Sequence, residues 1–181
     1  MRYDAPRMGH VWYFAYGSNL QSATLRGRRG VAVRRALPVR VHGWRLVFDK
    51  PRLFGDGSVA NIVPDDAGQA LGVAYEISAD DHAHVELTEG VAIGHYARVE
   101  VAVEAISVVD GAPRSAFSLA SDQRDATLRP SSRYMGLVIE GALEHALPEF
   151  HLDFLRSVPT CEESAEAAAL RPMIDAFMKR R

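Results

Sequence analysis

A Tyr-Gly-Ser-Asn sequence at residues 16–19 has residue types and a spacing that suit the binding of an anion. Glycine tolerates positive φ, and the Ser18 and Asn19 side chains bond to nearby backbone, so the chain can turn sharply here. A buried strand that enters such a turn before a helix leaves several backbone N–H groups unpaired and pointing one way, which suits a carboxylate or phosphate. An ordinary strand-to-helix turn explains the same pattern, and both interpretations stay open.

Ser18 is the candidate nucleophile of this segment, but the surrounding pattern does not favour that role. A nucleophile elbow needs G-x-S-x-G, and Leu20 stands where the second glycine should be. The further glycines and the lysine of a phosphate-binding loop are also missing. A serine hydrolase using Ser18 would need a paired histidine, which spacing alone does not identify. It remains one alternative, and a non-catalytic module that binds a small molecule is another.

A carboxylate at residue 89 is the second candidate for chemistry. Glu89 stands among apolar residues, between Leu87 and Val91, and Gly90 lets the chain turn directly behind it. We expect an acid in that setting to be partly buried. Spacing alone does not separate Glu89 from the other glutamates in the middle of the chain.

Two further clusters are interpreted as structural. His82 and His84 are two residues apart, so on a helix they face different sides and we predict no metal site. The arginines of Arg26–Arg29 are expected in a solvated loop or short helix, because a patch that binds a nucleic-acid backbone would interleave aromatic residues.

The elements that must position these residues follow from periodicity and turn residues. Strands are predicted at Val11–Tyr16, at two stretches of Val31–Asp49 divided at His42-Gly43, and at Val59–Val63, Gln69–Ile77, Tyr96–Val109 and Arg114–Ala120. Helices are predicted after Ser78, after Ser131 or Ser132, after Pro148, and over Glu162–Lys179. Because strands dominate the first two thirds, the predicted class is α+β, with about six strands in a small mixed β-barrel and flanking helices.

Composition restricts the function classes. The 181 residues, 48% hydrophobic and 24% charged, suit one domain at 1–181, with a core at 11–155 and a helical C-terminal extension at 159–181. A net charge of −2 gives no electrostatic case for nucleic acid. No apolar run reaches the roughly 18 residues of a membrane span. The single cysteine, Cys161, suits a reducing compartment, so we predict a cytoplasmic location. We also predict a monomer or homodimer.

Three segments, taken in order, resemble the γ-glutamylcyclotransferase-like (AIG2-like) family. The first is Val-Trp-Tyr-Phe-Ala-Tyr-Gly-Ser-Asn-Leu at 11–20, and the second is Leu-Thr-Glu-Gly-Val-Ala-Ile-Gly-His-Tyr at 87–96. The third is Pro-Ser-Ser-Arg-Tyr-Met at 130–135, which leads into a helix. Strands at 59–64 and 71–76 also look like the middle strands of the family, so the resemblance covers roughly 11–155.

The resemblance implies an enzyme that converts a γ-glutamyl amino acid or γ-glutamyl amine into 5-oxoproline and a free amine, without a cofactor. It implies Glu89 as the catalytic general base and then general acid. The implied substrate-binding residues are Tyr13, Phe14, Ala15, Tyr16, Gly17, Ser18, Asn19, Leu20, Tyr96 and Tyr134. For each of Tyr13, Tyr96 and Tyr134, a core tyrosine with a satisfied hydroxyl is the alternative. The leaving amine stays open.

Overall fold

A curled six-stranded sheet forms the centre of the fold in the computed structural model, which describes residues 9–179. The strands are β1 His10–Ala15, β2 Val33–Pro51, β3 Ser58–Ser78, β4 Ala97–Ala102, β5 Glu104–Ala105 and β6 Ser115–Ala120. Their order across the sheet is β4-β6-β1-β3-β2-β5. β1 runs parallel to β6 and the other neighbours are antiparallel, so the predicted mixed sheet is confirmed.

The sheet curls because the two strands at its opposite edges are almost continuous in the chain. β4 and β5 are separated only by Val103, whose N–H donates to the Arg114 carbonyl at 3.0 Å. A chain that leaves one edge and immediately joins the other bends the sheet toward closure. The predicted barrel is therefore a curled half-barrel, and the long strand predicted at Tyr96–Val109 is divided into β4 and β5.

Two predicted breaks between strands are wrong. β2 passes through His42-Gly43 without a hairpin, and the shift in register between His42 and Trp44 forms a bulge, with Gly43 at φ 79°. β3 likewise passes through Pro64, which pairs with Trp44. The turn-forming residues are overridden because β2 and β3 pair along most of their 19 and 21 residues.

Helices cover the ends and one side of the sheet. They are α1 Ala79–Thr88, α2 Ser132–Glu144, α3 Glu149–Ser157 and α4 Ala165–Met178, with 3₁₀ turns at Ser18–Leu20 and Val91–Ile93 and a π-helical turn at Ala23–Arg28. The predicted caps are confirmed: Ser78 Oγ accepts from the Asp81 N–H at 3.0 Å, and Ser131 Oγ accepts from the Tyr134 N–H at 3.1 Å. The helix α4 continues through Pro172.

The C-terminal extension lies against the rest of the fold through α4. Asp175 pairs with Arg28, and the Met178 carbonyl lies 2.9 Å from Nε2 of His84. Residues 180–181 of the predicted extension lie outside the described residues, and the single-domain prediction stays a prediction. Between residues 9 and 179, no helix has the length and apolar character needed to cross a membrane.

α2 approaches the chain after β1 closely because of one glycine. A Cβ atom at Gly141 would lie 2.4 Å from the Gln21 nitrogen and 2.4 Å from the Leu20 carbonyl carbon. Real Cβ atoms do not come that close to backbone, so only glycine allows this packing. The position of the 3₁₀ turn at Ser18–Leu20 therefore depends on the surface of α2.

We expect Gly141→Ala to lower the free energy of unfolding by about 1–3 kcal/mol, because the added methyl group forces α2 away from the 3₁₀ turn. Gly136→Ala in the same helix is the matched control, since nothing lies within 4 Å of its Cβ position. That change should be neutral or add up to about 1 kcal/mol through helix propensity. Urea denaturation of both variants measures the difference, and equal effects would contradict the packing argument.

Candidate active site

A cavity of about 130 Å³ opens where the turn after β1, the end of α1 and the start of α2 meet. A cavity of this size suits a small molecule. Eight of the residues predicted for the site line it, namely Tyr13, Tyr16, Gly17, Ser18, Asn19, Glu89, Tyr96 and Tyr134. Phe14, Ala15 and Leu20 instead belong to the hydrophobic core behind the wall. They position the turn and do not face the cavity.

The turn at residues 16–19 lines the cavity, and its Ser18 backbone forms a hydrogen bond with the Tyr134 hydroxyl. The first hydrogen bond of the 3₁₀ turn runs from the Leu20 N–H to the Gly17 carbonyl at 3.0 Å, so the N–H groups of residues 17–19 precede it. Gly17 has φ −111°, so the expected reason for glycine, a positive φ, is wrong. The reason is space, since a Cβ there would lie 2.9 Å from the Tyr134 hydroxyl.

Glu89 ends α1 and directs its carboxylate toward this turn. Gly90, at φ 73°, reverses the chain directly behind it, as its sequence position predicts. The side chain is 19% exposed. Nδ2 of Asn19 donates to Oε1 of Glu89 at 3.1 Å, which joins the first and second candidate segments across 70 positions of sequence. The two segments that the sequence analysis selects therefore form one site.

Arg29 forms the centre of the site, and the prediction of a solvated side chain is wrong for it. It is 2% exposed, and its guanidinium donates to three acceptors. Nε donates to Oδ1 of Asn19 at 2.8 Å, Nη1 donates to the Thr88 hydroxyl, and Nη2 donates to Oε1 of Glu89. A planar group with five donors can satisfy acceptors from several elements, and the Glu89 charge compensates its burial. The sequence carries no periodic signal for this inward position, which follows the irregular π-helical turn.

The two oxygens of the Glu89 carboxylate have different surroundings. Asn19 and Arg29 both donate to Oε1, which fixes the orientation of the group. Within residues 9–179, no hydrogen bond reaches Oε2. One oxygen is thus held by the protein, and the other is left for a ligand in the cavity.

Four tyrosines of the wall divide into two pairs by the direction of their hydrogen bonds. Tyr16 and Tyr96 donate to the carbonyls of Leu119 and Ala60, so their hydroxyl protons are engaged. These two fit the alternative interpretation of core tyrosines. The other pair, Tyr13 and Tyr134, accepts hydrogen bonds and keeps its protons for other partners.

Tyr13 and Tyr134 are neutral hydrogen-bond donors facing the cavity. Tyr13 accepts from Nδ2 of Asn19 at 2.9 Å, and Tyr134 accepts from the Ala60 N–H at 3.0 Å. Burial raises the pKa of Tyr13 well above its usual range, with the charge of Glu89 adding to the effect. Burial also raises the pKa of Tyr134 to about 12. Both hydroxyls therefore stay protonated at neutral pH.

A buried Lys50 and His95 lie behind the same wall, and the sequence analysis does not select either residue. Lys50 lies in β2, where the sequence predicts the start of a loop, and it is 0% exposed. Its Nζ lies 3.0 Å from Nδ1 of His95, which lines the cavity. Burial lowers the pKa of Lys50 to about 8 and also lowers the pKa of His95.

The other candidate residues have separate partners. Ser18 lines the cavity, but within the described part of the chain no hydrogen bond joins its hydroxyl to a histidine. Nε2 of His82 lies 2.9 Å from Glu86, whereas Nε2 of His84 faces the Met178 carbonyl at 2.9 Å. The two rings therefore contact different groups.

We expect Arg29→Ala to lower the free energy of unfolding by about 3–5 kcal/mol, because it leaves the Glu89 carboxylate without its charge partner. Arg28→Ala is the matched control. Its ion pair with Asp175 is exposed, with side chains 24% and 54% accessible, so its loss should cost at most about 1 kcal/mol. Chemical denaturation of both variants checks the difference, and an Arg29→Ala variant as stable as Arg28→Ala would contradict the assigned burial.

Comparisons with known proteins agree on one family. A family model described as the AIG2-like family matches residues 69–155. A γ-glutamyl cyclotransferase from Aspergillus oryzae is 31% identical over 179 residues, which cover 88% of this chain and 65% of the relative. The γ-glutamylcyclotransferase of Bos taurus is 27% identical over 150 residues, covering 81% of this chain and 77% of the relative.

The fold matches as well. A solved γ-glutamyl cyclotransferase structure superposes with a TM-score of 0.77 at 21% identity, covering 93% of this chain and 99% of the other. The chain spans somewhat less than two thirds of the Aspergillus relatives, namely 65% and 64% of their lengths. The family model, the named relatives and the shared fold all show that the chain is similar to the γ-glutamylcyclotransferase-like family.

Proposed function

We propose that the protein converts a small γ-glutamyl compound into 5-oxoproline and a free amine, with Glu89 as the general base and then the general acid. The observation that carries the proposal is the Glu89 carboxylate, held at Oε1 by Arg29 and Asn19 beside the turn and free at Oε2. The names of the relatives, γ-glutamyl cyclotransferases, support the same reaction class.

The reaction suits a site that holds one flexible molecule. A γ-glutamyl compound carries its own nucleophile, the α-amine, and its own electrophile, the γ-carbonyl carbon. The new bond joins that nitrogen to that carbon, and the bond from the carbon to the leaving nitrogen breaks. Because the reaction is intramolecular, the protein contributes by selecting the bent conformer. A cavity of about 130 Å³ restricts the conformers that fit.

Proton transfer is the second contribution. An α-amine has a pKa of about 8, so at neutral pH it is mostly protonated and cannot attack. The α-ammonium nitrogen loses two protons as it becomes the lactam N–H, and the leaving nitrogen gains two as it becomes an ammonium. Oε2 of Glu89 accepts each proton from the attacking nitrogen and delivers it to the leaving nitrogen. The held oxygen Oε1 keeps the carboxylate from rotating, so the free oxygen stays directed at the ligand. The transferred protons leave with the product amine, and Glu89 returns to its carboxylate form.

Stabilisation of negative charge comes from hydrogen-bond donors that line the cavity near Glu89. The backbone N–H groups of residues 17–19 and the hydroxyls of Tyr13 and Tyr134 suit the α-carboxylate of the substrate or the oxyanion that develops on the γ-carbonyl. Neutral tyrosines suit this role because they add no negative charge of their own. The proposed site therefore combines a carboxylate that transfers protons with several fixed hydrogen-bond donors.

The leaving amine, the cytoplasmic location and the oligomeric state stay predictions. A module that binds γ-glutamyl compounds without turnover would use the same cavity, and a direct assay for 5-oxoproline separates the two functions. The panel for that assay comprises γ-glutamyl amino acids and γ-glutamyl-lysine, because the identity of the leaving amine is open.

Glu89→Gln should lower kcat by about 10²–10⁴-fold, because an amide cannot accept and return the proton. The amide oxygen can still accept from Arg29 and Asn19, but the buried guanidinium loses its counter-charge, so we expect a folded variant with a lower melting temperature, which a thermal melt measures. Release of 5-oxoproline measures the activity. A folded Gln variant that retains turnover would remove Glu89 from the mechanism.

Ser18→Ala separates the proposed reaction from serine hydrolysis. In the proposed reaction the Ser18 hydroxyl forms no covalent bond, so we expect kcat to fall less than about tenfold, far below the loss for a nucleophile. Labelling with a serine-directed phosphonate should be absent in the parent protein. Loss of activity in the alanine variant, together with labelling of the parent, would support the hydrolase instead.

A further inference from the structure

The wall of the cavity carries more positive than negative charge. Its arginines are Arg28, Arg29, Arg52, Arg133 and Arg171. Two of them have their own carboxylates, since Arg28 pairs with Asp175 and Arg29 pairs with Glu89. These two pairs are neutral in sum, so the imbalance lies with the other three arginines.

Two of the remaining arginines share one carboxylate. Nη1 of Arg52 lies 3.6 Å from Oε1 of Glu163, and Nε of Arg171 lies 3.3 Å from Oε2. Within residues 9–179, no ion pair involves Arg133. These three guanidinium groups thus have one carboxylate partner among them, and two positive charges in the wall are uncompensated.

The contact between Arg171 and Glu163 is also incomplete as a hydrogen bond. Nε of Arg171 and Oε1 of Glu163 are both buried without a hydrogen-bond partner, although the Arg171 side chain as a whole is 37% exposed. Arg52 is 16% exposed. A buried donor without a partner costs free energy, and partly desolvated guanidinium groups bind carboxylates strongly. The arrangement therefore favours an anionic ligand group at this end of the cavity.

This end is distinct from the end at Glu89. The hydrogen-bond partners of Glu89 belong to the turn after β1 and to Arg29, whereas the three arginines come from the end of β2, the start of α2 and α4. Tyr134 is within electrostatic range of both ends, because the charges of Glu89 and of Arg52 both act on the pKa of its hydroxyl. A substrate with its glutamyl head at Glu89 extends its leaving half toward the arginines.

We propose that Arg52, Arg133 and Arg171 bind a carboxylate on the leaving half of the substrate, so that the preferred substrates are γ-glutamyl amino acids or peptides with a free carboxylate. This inference rests on the proposed function. γ-Glutamyl amines with a neutral or cationic leaving half lack the matching charge. The C-terminal helix α4, which supplies Arg171, is thus a specificity-determining part of the site.

The test compares γ-glutamyl-alanine with γ-glutamyl-alaninamide, which differ in one charge and little in size. We expect kcat/KM to be at least about tenfold higher for the acid, and this advantage to shrink as the ionic strength rises. Arg133→Gln and Arg171→Gln should each raise KM for the acid about three- to tenfold with kcat unchanged, because the contact is present before and during the reaction. Each variant should change kcat/KM for the amide less than it changes kcat/KM for the acid.

Arg156→Gln is the matched control, because this arginine lies on α3, pairs with Glu149 and does not line the cavity. Arg133→Gln removes no ion pair, so it remains informative if Arg171→Gln loosens α4. Equal use of acid and amide by the parent protein, or equal losses for both in the variants, would overturn the subsite while the proposed function stands. If neither peptide yields 5-oxoproline, turnover gives no comparison, and the proposed function fails only if the rest of the γ-glutamyl panel is also not converted. Calorimetric binding of the two peptides then decides the subsite: tighter binding of the acid supports it, and equal or absent binding overturns it.

Discussion

The buried guanidinium of Arg29 is the interaction on which the candidate site depends. It joins the side chains of Asn19, Thr88 and Glu89, which belong to the turn after the first strand and to the end of the first helix. A guanidinium without such partners would not be stable at 2% exposure, and the carboxylate would have no fixed orientation without the guanidinium. The ionic network therefore positions the chemistry and is itself held by the packing around it.

Small residues set the distances around that network. Gly141 lets α2 contact the backbone that follows the turn, and Gly17 leaves room for the Tyr134 hydroxyl. Neither glycine is needed for a positive φ, since Gly141 is helical and Gly17 has φ −111°. Both act by the absence of a side chain, which brings two backbone segments and a phenol within contact distance of one cavity. The distances between groups in the site are thus set by close packing of regular elements.

Local patterns in the sequence predicted much of the fold and the turn of the candidate site, whereas the family resemblance selected Glu89. The helix caps at Ser78 and Ser131, the turn at residues 16–19 and the chain reversal at Gly90 are short-range features with their own chemistry, and the structure contains each of them. The errors concern long-range effects. Pairing along β2 and β3 overrides the break expected at His42-Gly43. The burial of Arg29 and Lys50 depends on partners about 45 to 60 positions away, which periodicity cannot detect.

The central place of β1 has a consequence for how the chain reaches its native state. This strand is made early, yet its two neighbours are β3, which begins at Ser58, and β6, which begins at Ser115. A growing chain on the ribosome must therefore carry the apolar segment Trp-Tyr-Phe without its β3 partner, residues 73–78, for about 60 residues of synthesis, and without its β6 partner for about 100. Such non-local pairing forms late and slowly. During that interval the exposed segment can aggregate or bind chaperones.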